Sequence, residues 1–198
     1  MPGLRDRRKT RQREAIVDGA IRLFDERGID ATTMDDIAAA VEVSRATVFN
    51  YFAYKEAILV EIGARLVADI AQQAATRQPA SIRDALYDVA DGIAMVAERH
   101  PAVVPSIARE MTHPDPDRRR YAAERMQYPM LYDAMLDALQ AAGQLRGHAT
   151  KSSYARQLVD LATGALIRAG NDFPMANLRA ELRANVDLFF DGGVEREP

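Results

Sequence analysis

Apolar positions recur at helical spacing along almost all of the 198-residue chain, and no stretch alternates convincingly with the period of two that marks a half-buried strand. Ile16, Ala20, Leu23 and Phe24 trace one stripe, with only Arg27 polar at its end and Gly28 following as a C-terminal stop. Thr33-Met34-Asp35-Asp36 reads as a capping box that opens a second, short helix with Ile37, Ala38 and Val41 inward. Ser44 caps a third, where Val43 and Val48 occupy the two positions of a hydrophobic staple. From Lys55 a long periodic helix runs through Ile58, Leu59, Ile62, Leu66 and Ile70 toward Gln78-Pro79.

Ser81 caps another helix, which ends near His100-Pro101, and a short one over about 103–112 precedes the breaker His113-Pro114-Asp115-Pro116. The helix predicted over 117–142 holds Pro129, whose missing amide and ring clash call for a kink or break there. Gly143-Gln144-Leu145-Arg146-Gly147 is a loop, Thr150 starts a helix of about twenty residues, Asn171-Asp172-Phe173-Pro174 breaks it, and a last helix covers roughly 175–190. The expectation is an all-α fold of about nine helices: three in an N-terminal unit, residues 1–54, and six in a larger unit, residues 55–198.

Composition is that of an ordinary soluble globular chain, 48% apolar and 28% charged. With no cysteine there is no disulfide or thiolate metal site, and a reducing cytoplasm is the expected location. No apolar run approaches the ~20 residues of a membrane span, and the basic N-terminus leads into an amphipathic pattern rather than a secretion signal. A net charge of −3 weighs weakly against nucleic acid, but the distribution does not. Residues 1–13 carry six bases against one acid, and residues 14–60 carry four bases against nine acids. A cationic arm thus precedes an acidic scaffold; alone, such a run is equally a solvated tail.

The two short helices, joined by Ala40-Val41-Glu42-Val43, form a helix-turn-helix, whose second helix presents its first residues to base edges in the major groove. Behind the Ser44 cap, Arg45, Ala46, Thr47 and Asn50 are the exposed candidates, with Val48 and Phe49 turned inward or sideways. Arginine pairs bidentately with guanine and asparagine with adenine. Thr47, Tyr51, Lys55 and the amide-rich start at Thr33 suit phosphates. Any αα-hairpin has caps and exposed polar residues, so spacing alone leaves DNA binding open.

Residues 10–60 resemble the N-terminal domain of the tetracycline-repressor (TetR) family of bacterial regulators. The resemblance rests on Ala20-Ile21-Arg22-Leu23-Phe24 before Gly28, then Ala31-Thr32-Thr33, Ile37-Ala38, Val43-Ser44, Thr47, and Tyr51-Phe52 followed by Lys55-Glu56. It implies a three-helix DNA-binding domain, a divergent helical sensor domain, a homodimer on a near-palindromic operator, and usually repression relieved by a small molecule. By the same resemblance Thr33, Thr47, Tyr51 and Lys55 hold phosphates and the start of the third helix reads bases. Glu42 replaces a common turn glycine, so the backbone there must avoid left-handed angles or accept strain. Phe49 stands where tyrosine is frequent, and Tyr54 where a small polar residue is usual. The basic arm, with Lys9 and Arg13, is then expected along the DNA backbone or in a neighbouring minor groove.

Beyond residue 60 only pattern remains. Leu158, Leu161, Ala162, Ala165 and Leu166, with Leu182, Val186 and Phe189, form broad apolar faces on the last two helices, suited to the dimer interface that the resemblance implies and equally to core packing. A ligand pocket is expected between the helices of 80–142 and the one from 150, with Met95, Met111, Met126, Met130, Met135, Tyr132 and Tyr154 as adaptable or amphipathic lining. Arg109, on an otherwise apolar helix, is the candidate for a charged ligand group. An enzyme is not expected: His100, His113 and His148 lie apart, and there is no phosphate loop or nucleophile elbow. No cofactor, metal or membrane contact is expected. The alternative to a ligand-released repressor is a helix-turn-helix protein whose C-terminal half only dimerises or binds a protein partner.

Overall fold

The computed structural model describes residues 3–145, 150–171 and 174–193. Positions 146–149 of the predicted loop, His148 among them, and Asp172 and Phe173 lie outside the described residues. Among the described residues every element is helical, in chain order α1 (Leu4–Arg27), α2 (Met34–Ala40), α3 (Arg45–Tyr51), α4 (Lys55–Ala75), α5 (Ile82–Arg99), α6 (Val103–Met111), α7 (Pro116–Met126), a 3-10 turn (Tyr128–Leu131), α8 (Asp133–Ala141), α9 (Lys151–Ala169), a second 3-10 turn (Met175–Asn177) and α10 (Leu178–Gly193). None is long and apolar enough to cross a membrane.

Local chemistry starts and stops these helices where the sequence predicts. The Thr33 hydroxyl accepts from the Asp36 amide while the Asp36 carboxylate accepts from the Thr33 amide, so two orphan donors are satisfied at once. Ser44, Ser81 and Thr150 each accept from the amide three residues on. Gly28 ends α1 at φ 81°. The predicted break at Pro129 makes ten α-helices rather than nine: α7 stops at Gln127, itself left-handed at φ 47°, and the chain crosses a 3-10 turn before α8 begins. One further departure is that α1 begins at Leu4, so the basic arm is the opening of a helix and not an extended tail.

Two apolar clusters result. The first joins Ile16, Ala20 and Phe24 of α1, Ile37 of α2 and Val48 of α3 to Ile58 and Ile62 of α4, Val103 and Ile107 of α6, and Met126 of α7. The second gathers Val67 and Ile70 from later in α4 with α5, α8, α9 and α10, and takes Val104 and Ala108 from the other side of α6. Helices α4 and α6 therefore belong to both. The close approach of α4 to α7 requires Gly63, where a Cβ would run into the Met126 sulfur and Ile107.

In the turn between α2 and α3, Glu42 sits at φ 54° and so accepts the left-handed backbone that a glycine would adopt freely. Replacing Glu42 with glycine should raise stability by about 0.5–1 kcal/mol and Tm by roughly 1–4 °C, after allowing for the larger unfolded-state entropy of glycine. Thermal melts of the two proteins measure it; a lower Tm for the variant would show that the Glu42 side chain contributes more than its backbone costs.

Candidate nucleic-acid interface and sensor cavity

Helix α3 buries Val48 and sets Arg45, Ala46, Phe49 and Asn50 outward, so four side chains share one exposed face. The expectation that Phe49 turns inward or sideways is corrected: it is 40% exposed, with the Arg45 guanidinium 5.2 Å above its ring. The spacing of four that brings Arg45 over Phe49 was the available signal. A phenyl edge there suits a thymine methyl, which the missing tyrosine hydroxyl would not improve. Arg45 also donates to Asp35 of α2 at 2.7 Å, but with 65% and 58% of the two side chains exposed the pair is solvent-screened and weak. Thr47 is half-buried, its amide and hydroxyl both engaged by the Ser44 hydroxyl, at 3.1 and 2.8 Å.

Several expected phosphate ligands are committed elsewhere. The Lys55 ammonium donates to the carbonyls of Ile29 and Thr32 and so pins the loop between α1 and α2. Tyr51 donates to the Gln12 amide oxygen at 3.1 Å, tying α3 to α1. Thr33 spends its hydroxyl on Asp36, at 2.6 Å, and its bonds hold that carboxyl below the usual carboxylate range. Arg13, expected along the DNA, has partners within the chain. It lies over the Phe52 ring at 4.7 Å and bonds Glu61 of α4 at 2.6 Å, half-buried. Lys9 remains exposed on the outer surface of α1.

Glu61 lies on the half of α4 that faces the first cluster. Besides Arg13 it takes a bidentate pair from Arg125 of α7, at 2.7 and 2.8 Å, so α1, α4 and α7 converge on one carboxylate. Nearby, Arg118 of α7 forks onto the buried Glu110 of α6 and covers the Tyr54 ring at the start of α4. His100 bonds Asp25 of α1 at 2.7 Å. No cluster of three His, Asp or Glu side chains suited to a metal occurs among the described residues.

A cavity of about 50 Å³ lies between α4, α5, α6 and α9, walled by Leu66, Val67, Ile93, Val104, Val159 and Thr163 among others. Of the expected lining residues Met111 and Tyr132 reach it. Met126 is buried behind Gly63, accepting from the Tyr128 hydroxyl at 3.0 Å. Tyr154 packs edge-on against Phe189, 5.6 Å between centroids, and Met135 is half-buried against the same core. Met95 and Met130 face solvent, as does Arg109, which bonds the Asn171 side chain at 2.8 Å. The aliphatic walls carry no mark in the sequence, because a cavity-lining valine has no signal that a core valine lacks. Met111, Tyr128 and Val159 also border an open cleft of about 390 Å³ that carries Asp133, Ser152, Arg156 and Asp160.

Of the residues expected in a dimer seam, Leu158, Ala165, Leu166, Leu182, Val186 and Phe189 are buried within this single chain, and Ala162 lines the cavity. Only Leu161 is exposed. The outer face of the last two helices instead shows Leu161 beside a stripe of Ala180, Ala184 and Leu188, the last 64% exposed. That spacing of four was readable, but the fuller apolar face masked it.

The Glu61 junction has a pH signature. Burial pushes the carboxyl upward, but Arg13 and Arg125 outweigh it and hold the group below its ordinary value of 4.5. A depressed folded value stabilises the fold above the unfolded value, and that stabilisation is lost as pH falls through the folded one. Glu61→Gln should therefore lower Tm at neutral pH, and its deficit against wild type should shrink as pH drops below about 4.5. Parallel Tm curves from pH 7 to pH 3 would remove Glu61 from the account of acid unfolding.

Comparison with known proteins agrees with this architecture. The family model for bacterial regulatory proteins of the tetR family matches residues 16–62, and that for the C-terminal domain of TetR/AcrR family transcriptional repressors matches residues 61–192. The structure of FadR from Thermus thermophilus, a TetR family transcriptional repressor in complex with lauroyl-CoA, is 31% identical, covers 94% of this chain and 97% of its own, and superposes with a TM-score of 0.82. FadR from Bacillus subtilis, in complex with stearoyl-CoA, shares the fold at a TM-score of 0.67 and 16% identity, over 87% of this chain and 97% of its own. The HTH-type regulator TcmR of Streptomyces glaucescens is 44% identical over 57 residues, 29% of this chain, and that match spans only 25% of its length. With a helix-turn-helix built on α2 and α3 and both family models matched in succession, the chain belongs to the TetR family of DNA-binding transcriptional regulators and is not an enzyme.

Proposed function

We propose that the protein is a cytoplasmic, homodimeric repressor that leaves a near-palindromic operator when a long-chain acyl thioester enters its sensor domain. In this reading the DNA-binding unit is residues 1–54 and the sensing and dimerising unit residues 55–198. The observation that carries it is the place of the cavity: its walls are almost wholly aliphatic, and two of them are α4 and α6, the helices common to both clusters. The likeness to a repressor solved with lauroyl-CoA supplies the ligand class.

At about 50 Å³ the cavity is far below the roughly 300–1,000 Å³ of small-molecule sites, so an acyl chain must part the walls. Met111 can re-pack without losing apolar contact. Movement of α4 at Gly63 and Leu66 reaches Glu61 within one turn, and from there α1 through Arg13. The adjoining cleft, with Arg156 on its wall, is wide enough to leave a polar headgroup at the surface.

On DNA, the outward face of α3 reads bases through Arg45, Asn50 and the Phe49 ring, with Ala46 allowing close approach and Ser44 and Thr47 fixing the helix start. Arg45→Ala should cost about 1–3 kcal/mol on the cognate operator and relax preference at one base pair in each half-site. Site selection followed by mobility shift measures both, and adding lauroyl-CoA to the wild-type complex should release the DNA. An Arg45→Ala protein that loses affinity with unchanged base preference makes Arg45 a phosphate contact; DNA retained at saturating thioester leaves the C-terminal half as a dimerisation module.

The dimer forms through the outer faces of α9 and α10, where Ala180 and Ala184 permit close helix approach and Leu161 and Leu188 supply apolar area. Leu188→Glu buries an unpaired carboxylate in that seam and should shift sedimentation toward monomer, at a cost of several kcal/mol. An unaltered dimer would place the interface elsewhere.

A further inference from the structure

The sensor cavity adjoins a further space on either side. Toward solvent, Met111, Tyr128 and Val159 separate it from the open cleft of about 390 Å³. Toward the interior, Ile93, Tyr132 and Ala162 separate it from a smaller void of about 20 Å³, whose far walls are Leu158 of α9 and Leu182 and Val186 of α10. The cleft and the small void share no wall residue, so the cavity of about 50 Å³ stands between them. Asn185, on the wall of the void, donates to the Leu161 carbonyl at 3.3 Å and is thus engaged within the protein.

Elsewhere the cavity walls are tight. Toward α5, Gly92 lets Ile70 of α4 approach so closely that a Cβ at Gly92 would stand 3.1 Å from it. Toward α7, Met126 and Ile107 close on Gly63 until a Cβ there would collide with both. Interiors pack at the density of organic crystals, and every void deprives its walls of contacts. Swinging one ring to join two voids therefore gives up fewer contacts than parting walls already in full contact. A chain that enters from the cleft meets closed packing at α4 and slack toward α10.

We propose that Ile93, Tyr132 and Ala162 set the acyl chain length this protein senses, the last carbons of a long chain passing them into the void beneath α10. This rests on the acyl-thioester reading above and deepens it from ligand class to chain length. The path turns around α9: Val159 and Thr163 face the cavity, Leu158 faces the void, and Ala162 borders both. A chain that stops short of the partition leaves Tyr132 in place. A longer one displaces the ring, which stands at the joint between the 3-10 turn and α8, and gains apolar contact with Leu182 and Val186. Tyr132 and Ala162 are then specificity-determining residues, the ring as the movable part of the partition and the methyl as the side chain small enough to leave a passage.

The test is calorimetric titration of the full-length protein with a ladder of saturated acyl-CoA thioesters that starts below lauroyl and ends above stearoyl, on wild type, Ala162→Leu and Tyr132→Ala. In the wild type each added methylene should tighten binding about fourfold until the void is filled, and the rise should then stop. Ala162→Leu narrows the passage and should end the rise at a shorter chain, with the shortest thioesters bound as in wild type. Tyr132→Ala removes the partition and should carry the rise to a longer chain. A thermal melt of each variant without thioester shows that it is folded; if Tyr132→Ala does not melt cooperatively, Ala162→Leu decides alone, its added carbons having the two voids to occupy. A length limit unmoved in either folded variant, or moved in the opposite direction, overturns the proposal while the acyl reading stands. Failure of every thioester to bind the wild type overturns the acyl reading and this inference with it.

Discussion

The two apolar clusters share α4 and α6, and neither can be assembled around another placement of those helices. Ile58 and Ile62 fix the first half of α4 against the DNA-binding helices, and Val67 and Ile70 fix the second half against the sensor helices. On α6 the division runs round the helix instead of along it: Val103 and Ile107 face one cluster, Val104 and Ala108 the other. A modest rotation of α6 would withdraw both pairs together. Interiors packed at crystal density pass such displacements on rather than absorb them. On the first half of α4, Glu61 is salt-bridged to both α1 and α7, and a carboxylate shared by two helices resists sliding that apolar contacts alone would tolerate.

Helix starts and stops were readable because their chemistry is confined to four residues. Thr33 with Asp36, Ser44 with the Thr47 amide, and Gly28 at its left-handed angle need nothing from the rest of the molecule. Pro129 likewise announced the break between α7 and α8, since a missing amide acts on its own turn.

The destinations of long side chains were not readable. Arg13 finds its carboxylate 48 residues away, and Lys55 finds carbonyls 26 and 23 residues away. Those carbonyls end a loop, where backbone acceptors need donors from outside, and a lysine at the next helix start is within reach only once α4 has docked. The apolar faces of α9 and α10 posed a different problem. Leu158, Leu166 and Leu182 would be equally suited to a partner subunit or to their own core, and only the packing of α6, α8 and α10 around α9, and of α5 against α10, turns them inward. Methionines pose a similar problem, since residue type alone does not separate Met111, which lines the cavity, from Met95 and Met130, which are exposed.

The contact between Arg45 and Asp35 sets conditions on how the protein searches DNA. An arginine already resting on a flat ring, with its tip tethered to a neighbouring helix, has fewer arrangements to abandon on docking than one waving in solvent. The tether is mild in water and becomes a liability in a groove, where the freed carboxylate of Asp35 faces a wall of phosphates. In the base-reading role proposed for Arg45, so exposed a pair costs little to break, and its consequence is one of placement: the guanidinium leaves a defined resting position over the Phe49 ring for a base pair that offers two acceptors.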